Sequence, residues 1–154
     1  MTATAVGLAV PVGLGLILGG TAAALRRRFT VITVRGSSMT PTYADGDRLL
    51  VRRTAQFGLN DVMVFAMPEG RQVDGMKWLI KRVTAVAGDG VPADVRPVVG
   101  LGSVPPGCVV VHGDGRSSLD SRQLGPIATA AGLGVVIRRL RSGPALSRRR
   151  DRAD

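Results

Sequence analysis

Ser38 lies in the segment Arg35-Gly36-Ser37-Ser38-Met39-Thr40-Pro41-Thr42, directly after an apolar run and just before the turn Asp45-Gly46-Asp47. A serine at a strand end, flanked by Gly and Pro, can be held exposed on a sharp bend; a plain β-turn fits the same residues. Lys81 lies inside a second apolar run, Trp78–Val86. Lys81 and Arg82 are adjacent, so on a strand they point to opposite faces, and one must point where the apolar neighbours point. A lysine shielded from water there has a lowered pKa, because desolvation penalises its charged form. Once neutral, it can take a proton from a serine hydroxyl, which makes a Ser–Lys variant of triad logic. Taken alone, Lys81 reads equally as a solvated edge lysine. A third segment, Gly113-Asp114-Gly115-Arg116-Ser117-Ser118-Leu119-Asp120-Ser121-Arg122, is dense in turn formers, hydroxyls and opposite charges. In it Asp120 and Arg122 can pair and fix the loop, and Ser117 or Ser118 can bond the lysine and orient it. Its plain alternative is a solvated loop.

These side chains need short strands to hold them. Phe29–Val34, Arg48–Arg52, Asp61–Met67, Trp78–Val86, Cys108–His112 and Val135–Leu140 read as strands, punctuated by Asp45-Gly46-Asp47, Pro68-Glu69-Gly70, Gly88-Asp89-Gly90 and Pro105-Pro106-Gly107. Residues 91–106 read as a loop or short hairpin. The implied fold class is mostly β: a small folded-over, barrel-like sheet spanning residues 29–141.

The chain has 154 residues, enough for one small domain plus an anchor and a tail. Its 45% hydrophobic content argues against disorder, and with 3% aromatics the core must rest on aliphatic side chains and Met. Residues 1–25 carry no charged side chain and are long enough to cross a bilayer. No basic region opens the chain, so a retained transmembrane anchor is favoured over a cleaved signal. Residues 142–154 read as a flexible basic tail. The net charge of +10 raises a nucleic-acid reading. The arginines, however, cluster beside the apolar segment and near the C-terminus, without zinc-finger spacing or interleaved aromatics. A solvated or membrane-surface role is therefore favoured, with membrane lipid as a partner and no nucleic acid. Cys108 is the only cysteine and forms no internal disulfide.

Four segments in order, GSSMTPT at Gly36–Thr42, DGDRLLV at Asp45–Val51, KRVTAVAGD at Lys81–Asp89 and GDGRSSLDSR at Gly113–Arg122, resemble the sequence boxes of type I signal peptidases. The resemblance implies Ser38 as nucleophile and Lys81 as general base, with the Ser38 N–H in the oxyanion hole. It also implies that Ser37 and Met39 support and shield the dyad, that Ser118 orients Lys81, and that Asp120 and Arg122 hold the loop. Gly36 stands where some members carry a hydroxyl as a second oxyanion donor and others carry Gly. The third box is one residue shorter than usual, reading Gly113-Asp114-Gly115, which leaves both Ser117 and Ser118 open as the orienting group. Asn60-Asp61 replaces the more usual Gly-Asp.

The expected activity is hydrolysis of an extended peptide or preprotein through an acyl-enzyme on Ser38, with small residues one and three positions before the cut. No metal or organic cofactor is expected. A Ser-His-Asp triad using His112, the only histidine, is a weaker reading. Other readings are a dedicated processing protease, a self-cleaving repressor-type Ser–Lys domain and a catalytically dead membrane adaptor. The expected setting is a single-pass cell-membrane protein. Arg26–Arg28 after the anchor point to a cytoplasmic domain, whereas the resemblance implies an extracytoplasmic one.

Overall fold

The computed structural model describes residues 26–67, 77–100 and 102–141. Both the anchor expected at 1–25 and the tail expected at 142–154 lie outside the described residues. Among the described residues no helix is long and apolar enough to cross a membrane.

Seven strands form one antiparallel sheet: β1 (Phe29–Thr33), β2 (Arg48–Arg52), β3 (Val62–Ala66), β4 (Trp78–Val86), β5 (Cys108–His112), β6 (Ile127–Ala128) and β7 (Gly132–Arg141). Their order is β1-β2-β7-β3-β4-β5-β6, so the mostly β expectation holds. Among the described residues the sheet does not close into a barrel, since β1 and β6 are its two ends. It is nevertheless folded over, because β1 and β4, three strands apart from contact in that order, line the same cleft.

Alternation along each strand explains its placement. In β2, Leu49 and Val51 are fully buried while Arg48 and Arg52 are exposed. In β4, Leu79, Lys81, Val83 and Ala85 are buried and the residues between them are less so. A register shift between Val83 and Ala85 against β5 divides this strand between two cores. Met63, Phe65, Leu79, Val83, Val109 and Val111 belong to the first; Ala85, Val91, Val95, Val104 and Val110 to the second. β5 is thus covered on both faces, the reason its sequence runs Val-Val-Val without a polar break.

Three sequence expectations need amendment. The last strand begins at Gly132, three residues earlier than its apolar run, because β3 pairs with Gly132 and Gly134 and recruits the glycines. The segment expected as loop or hairpin after Gly90 contains a short helix, α1 (Arg96–Val99), whose Pro97 suits a first turn. A second short helix, α2 (Ser121–Leu124), and the two-residue β6 were absent from the sequence reading, being shorter than any periodicity.

Candidate active site

The nucleophile candidate is set by the turn beyond β1. Val34 follows the strand directly, its N–H donating to the Asp47 carbonyl (2.8 Å) while Gly46 N–H donates to the Val34 carbonyl (2.9 Å). Gly36 has φ +82°, a conformation in which a side chain would be strained, and its N–H donates to Asp45 Oδ1 at 2.7 Å. Asp47 is buried, accepts from Ala44 N–H (3.0 Å) and lies 3.2 Å from the Arg139 guanidinium. The Asp45-Gly46-Asp47 turn is therefore a buttress for the serine loop as well as a chain reversal. Met39 is 1% exposed and plugs the loop against the interior.

Lys81 is carried in by β4. Its neighbours on the inward face, Leu79 and Val83, are buried, and Met63 of β3 stands opposite it. The side chain is itself 1% exposed, and Nζ lies 2.6 Å from Ser38 Oγ. Burial dominates its titration and lowers the pKa to about 8, against the partly opposing charges of Asp120 and Asp114; Arg122 pushes in the same direction as burial. Arg82, on the other face, is solvated in part, and this settles which of the two adjacent cations turns inward.

The segment after β5 wraps the nucleophile. Gly115 N–H donates to the Ser38 carbonyl at 2.9 Å. A Cβ on Gly115 would meet the Ser37 carbonyl oxygen, and one on Gly113 would overlap Ser118 and the Ser38 carbonyl. Both glycines are thus close-approach positions as well as turn formers. Asp114 takes a two-pronged bond from Arg82, Nε to Oδ1 at 2.9 Å and Nη2 to Oδ2 at 2.6 Å. Arg82 also reaches the Asn60 carbonyl (3.1 Å). The Asp114–Arg82 fork ties this loop to the strand bearing Lys81. Neither residue was singled out as a pair from the sequence, since they are far apart in the chain.

Asp120 and Arg122 pair as expected, Nε to Oδ1 at 2.9 Å and Nη2 to Oδ2 at 2.8 Å. Asp120 is fully buried, also accepts from Gly113 N–H (2.9 Å), and caps α2 in a box with Gln123. Burial pushes its carboxyl up, but the Arg122 side chain and the Gly113 and Arg122 amides outweigh that and hold it well below the usual carboxylate range. The expected hydrogen bond from Ser117 or Ser118 to Lys81 is not made. Ser117 lines the cleft, and Ser118 Oγ is buried with no hydrogen-bond partner, though it stands close enough to Asp120 to favour its ionised form. The Ser118 side chain lies directly against Gly113, where any side chain on the glycine would overlap it. His112 ends β5, and its two ring nitrogens face Thr84 Oγ1 (2.7 Å) and Asp94 Oδ2 (3.0 Å), not Ser38.

Ser38 and Lys81 open into a cleft of about 1000 Å³, lined on one side by Thr30, Ile32 and Val34 of the β1 segment and on the other by Trp78, Leu79 and Ile80 of β4. Among the described residues no cluster of His, Cys, Asp or Glu could hold a metal ion.

A serine hydroxyl in contact with a buried lysine beside an apolar cleft is an arrangement that Ser–Lys hydrolases use. Residues 8–98 match the family model described as signal peptidase, peptidase S26. That stretch is more than half of the chain and contains Ser38 and Lys81, and the chain belongs to this family of serine peptidases. No curated protein matches it.

Proposed function

We propose that this protein is a membrane-bound endopeptidase that removes signal peptides from secreted precursors, using Ser38 as nucleophile and Lys81 as general base. The observation that carries the reading is the 2.6 Å contact between Lys81 Nζ and Ser38 Oγ, made by a lysine that is almost wholly buried and opening on a cleft. A lysine made neutral by burial accepts the Ser38 proton as Oγ attacks the scissile carbonyl. The resulting ammonium returns the proton to the leaving amine, and a water activated by the same lysine releases the acyl group. Among the described residues the Ser38 N–H donates no backbone hydrogen bond, which leaves it available to the developing oxyanion. Gly36 contributes no hydroxyl, and its N–H is held by Asp45, so the hole rests on Ser38 in this chain.

The cleft suits an extended peptide. β1 is paired only to β2, and Trp78–Lys81 only to β3, because β5 begins its pairing at Arg82. Two strand edges without a partner among the described residues therefore border the cleft, and a substrate strand can add to one of them by main-chain bonds. The cleft is largely apolar, and the family resemblance implies small residues one and three positions before the cut. With residues 1–25 as anchor, the domain works at the membrane, on the extracytoplasmic side.

The test is processing of a secretory precursor by membranes containing the protein, with N-terminal sequencing of the product. Cleavage after a small residue, abolished when bulky residues replace those one and three positions before the cut, is expected. An intact precursor overturns the general role and leaves a dedicated processing protease.

A further inference from the structure

Arg139 lies near the end of β7, outside the residues that match the family model and apart from those lining the cleft. Its place in the sheet nevertheless aims it at the turn that carries Ser38. Asp47, Leu49 and Val51 are buried at alternate positions, so they share the inward face of β2 and of the residue leading into it. Arg139 stands opposite Leu49 and shares that face. The register shifts on both sides of this pairing, leaving Ile137 and Leu140 as extra residues of β7, and such bulges re-aim the side chains beside them. The guanidinium makes three contacts on the turn. Nε lies 3.2 Å from Asp47 Oδ2, a carboxylate whose side chain is 1% exposed. Nη2 donates to the Thr42 carbonyl. The Tyr43 ring lies against it, with Cζ 5.2 Å from the ring centroid. The turn's own bonds carry these contacts back to the nucleophile: Tyr43 N–H donates to the Met39 carbonyl at 2.8 Å, and Thr40 N–H to the Ser37 carbonyl at 3.0 Å. Thr42 is also held by its side chain, whose hydroxyl accepts from Arg82 Nη2 at 3.4 Å.

We propose that Arg139 is a positioning residue for the nucleophile: by holding Thr42, Tyr43 and Asp47 together, it fixes the turn so that Ser38 Oγ stays within reach of Lys81 Nζ. The inference rests on the peptidase reading above. Three features separate Arg139 from an ordinary surface arginine. Its planar fork bonds a backbone carbonyl and a side-chain carboxylate at two separate points of the turn, which the single nitrogen of a lysine does not reproduce. The carboxylate it meets is buried, where a charge needs a partner. Its contacts fall within Thr42–Asp47, a few residues after Ser38, so slack there passes to the hydroxyl. A displacement of about 1 Å at reacting atoms costs rate on the order of a hundredfold. Arg82 keeps its hold on the Thr42 side chain when Arg139 is lost, so a smaller loss follows.

The test uses the full chain, purified in detergent, and a quenched fluorogenic peptide with alanine one and three positions before the cut. Arg139→Met is expected to lower kcat on the order of tenfold with KM unchanged, because Arg139 does not line the cleft. The same change leaves the Asp47 charge buried without the guanidinium, so the melting temperature is expected to fall. Combining Arg139→Met with Asp47→Asn separates the two effects. Removing the stranded charge is expected to return melting toward that of the parent, while kcat stays low because nothing grips the Thr42 carbonyl. Parent-like kcat in a folded Arg139→Met protein overturns the proposal, and so does a loss confined to KM. A double variant whose kcat recovers together with its melting also overturns it, since Arg139 would then act through stability alone. The peptidase reading fails by a different result: a parent protein that cleaves the peptide no faster than Ser38→Ala sinks that reading and this proposal with it.

Discussion

If Lys81 is the base proposed above, one position sets both rate and stability. Its pKa of about 8 leaves about a tenth of the amine neutral at pH 7. Since only the neutral amine accepts the Ser38 proton, kcat/KM is expected to rise about tenfold per pH unit below 8 and to level above it. A profile flat from pH 6 to 9 contradicts the base assignment. The same shift carries a stability sign. The folded pKa lies below the ordinary value of 10.5, so the unfolded chain binds more protons between about pH 8 and 10.5. The burial penalty, on the order of 3 kcal/mol, is fully present below pH 8 and fades as pH rises through that window. Lys81→Met is therefore expected to be inactive but more stable at pH 7, its advantage shrinking toward pH 10.5 in denaturant melts. The residue types were legible from the sequence, because a lysine beside an arginine in an apolar strand sends one charge inward. The seat of Ser118 against Gly113 was not, since that contact is made by the folded loop and leaves no local pattern.

At the scale of elements, the site is a convergence of the turn after β1, the middle of β4 and the loop after β5. Arg48–Arg52, Trp78–Val86 and Cys108–His112 were readable to the residue, their apolar runs being bounded by turn residues. The bridges among them were not, since Arg82–Asp114 and Gly115–Ser38 join distant segments and leave no local pattern. Gly115→Ala is expected to lower kcat on the order of a hundredfold with little change in melting, because its Cβ meets the Ser37 carbonyl and displaces the nucleophile. Normal kcat in that variant would show that the loop does not position Ser38. Asp120→Asn strips Arg122 of its partner and weakens the cap of α2. A loss of about 3 kcal/mol in unfolding free energy is expected, and a loss under 0.5 kcal/mol would contradict the anchoring role.

For the whole molecule, the fold leaves a slot between β1 and the first half of β4. Nothing in the strands' own sequences announced that slot, because it arises from the order β1-β2-β7-β3-β4, which folds the sheet over. A substrate-like peptide is expected to slow amide exchange in Phe29–Thr33 and Trp78–Lys81, leaving β5 and β6 unchanged. Protection spread evenly over the sheet would argue against strand addition. The mostly β class was legible from short runs and turn signals; the order in which the strands pair was not, since it depends on contacts between distant segments.

The most direct test of the dyad is precursor cleavage by purified, reconstituted protein beside Ser38→Ala and Lys81→Ala, each confirmed folded by melting. The account predicts losses on the order of 10⁴-fold or more in both variants, with no further loss in the double variant, because the two residues act as one unit. Substantial cleavage by either single variant would contradict it.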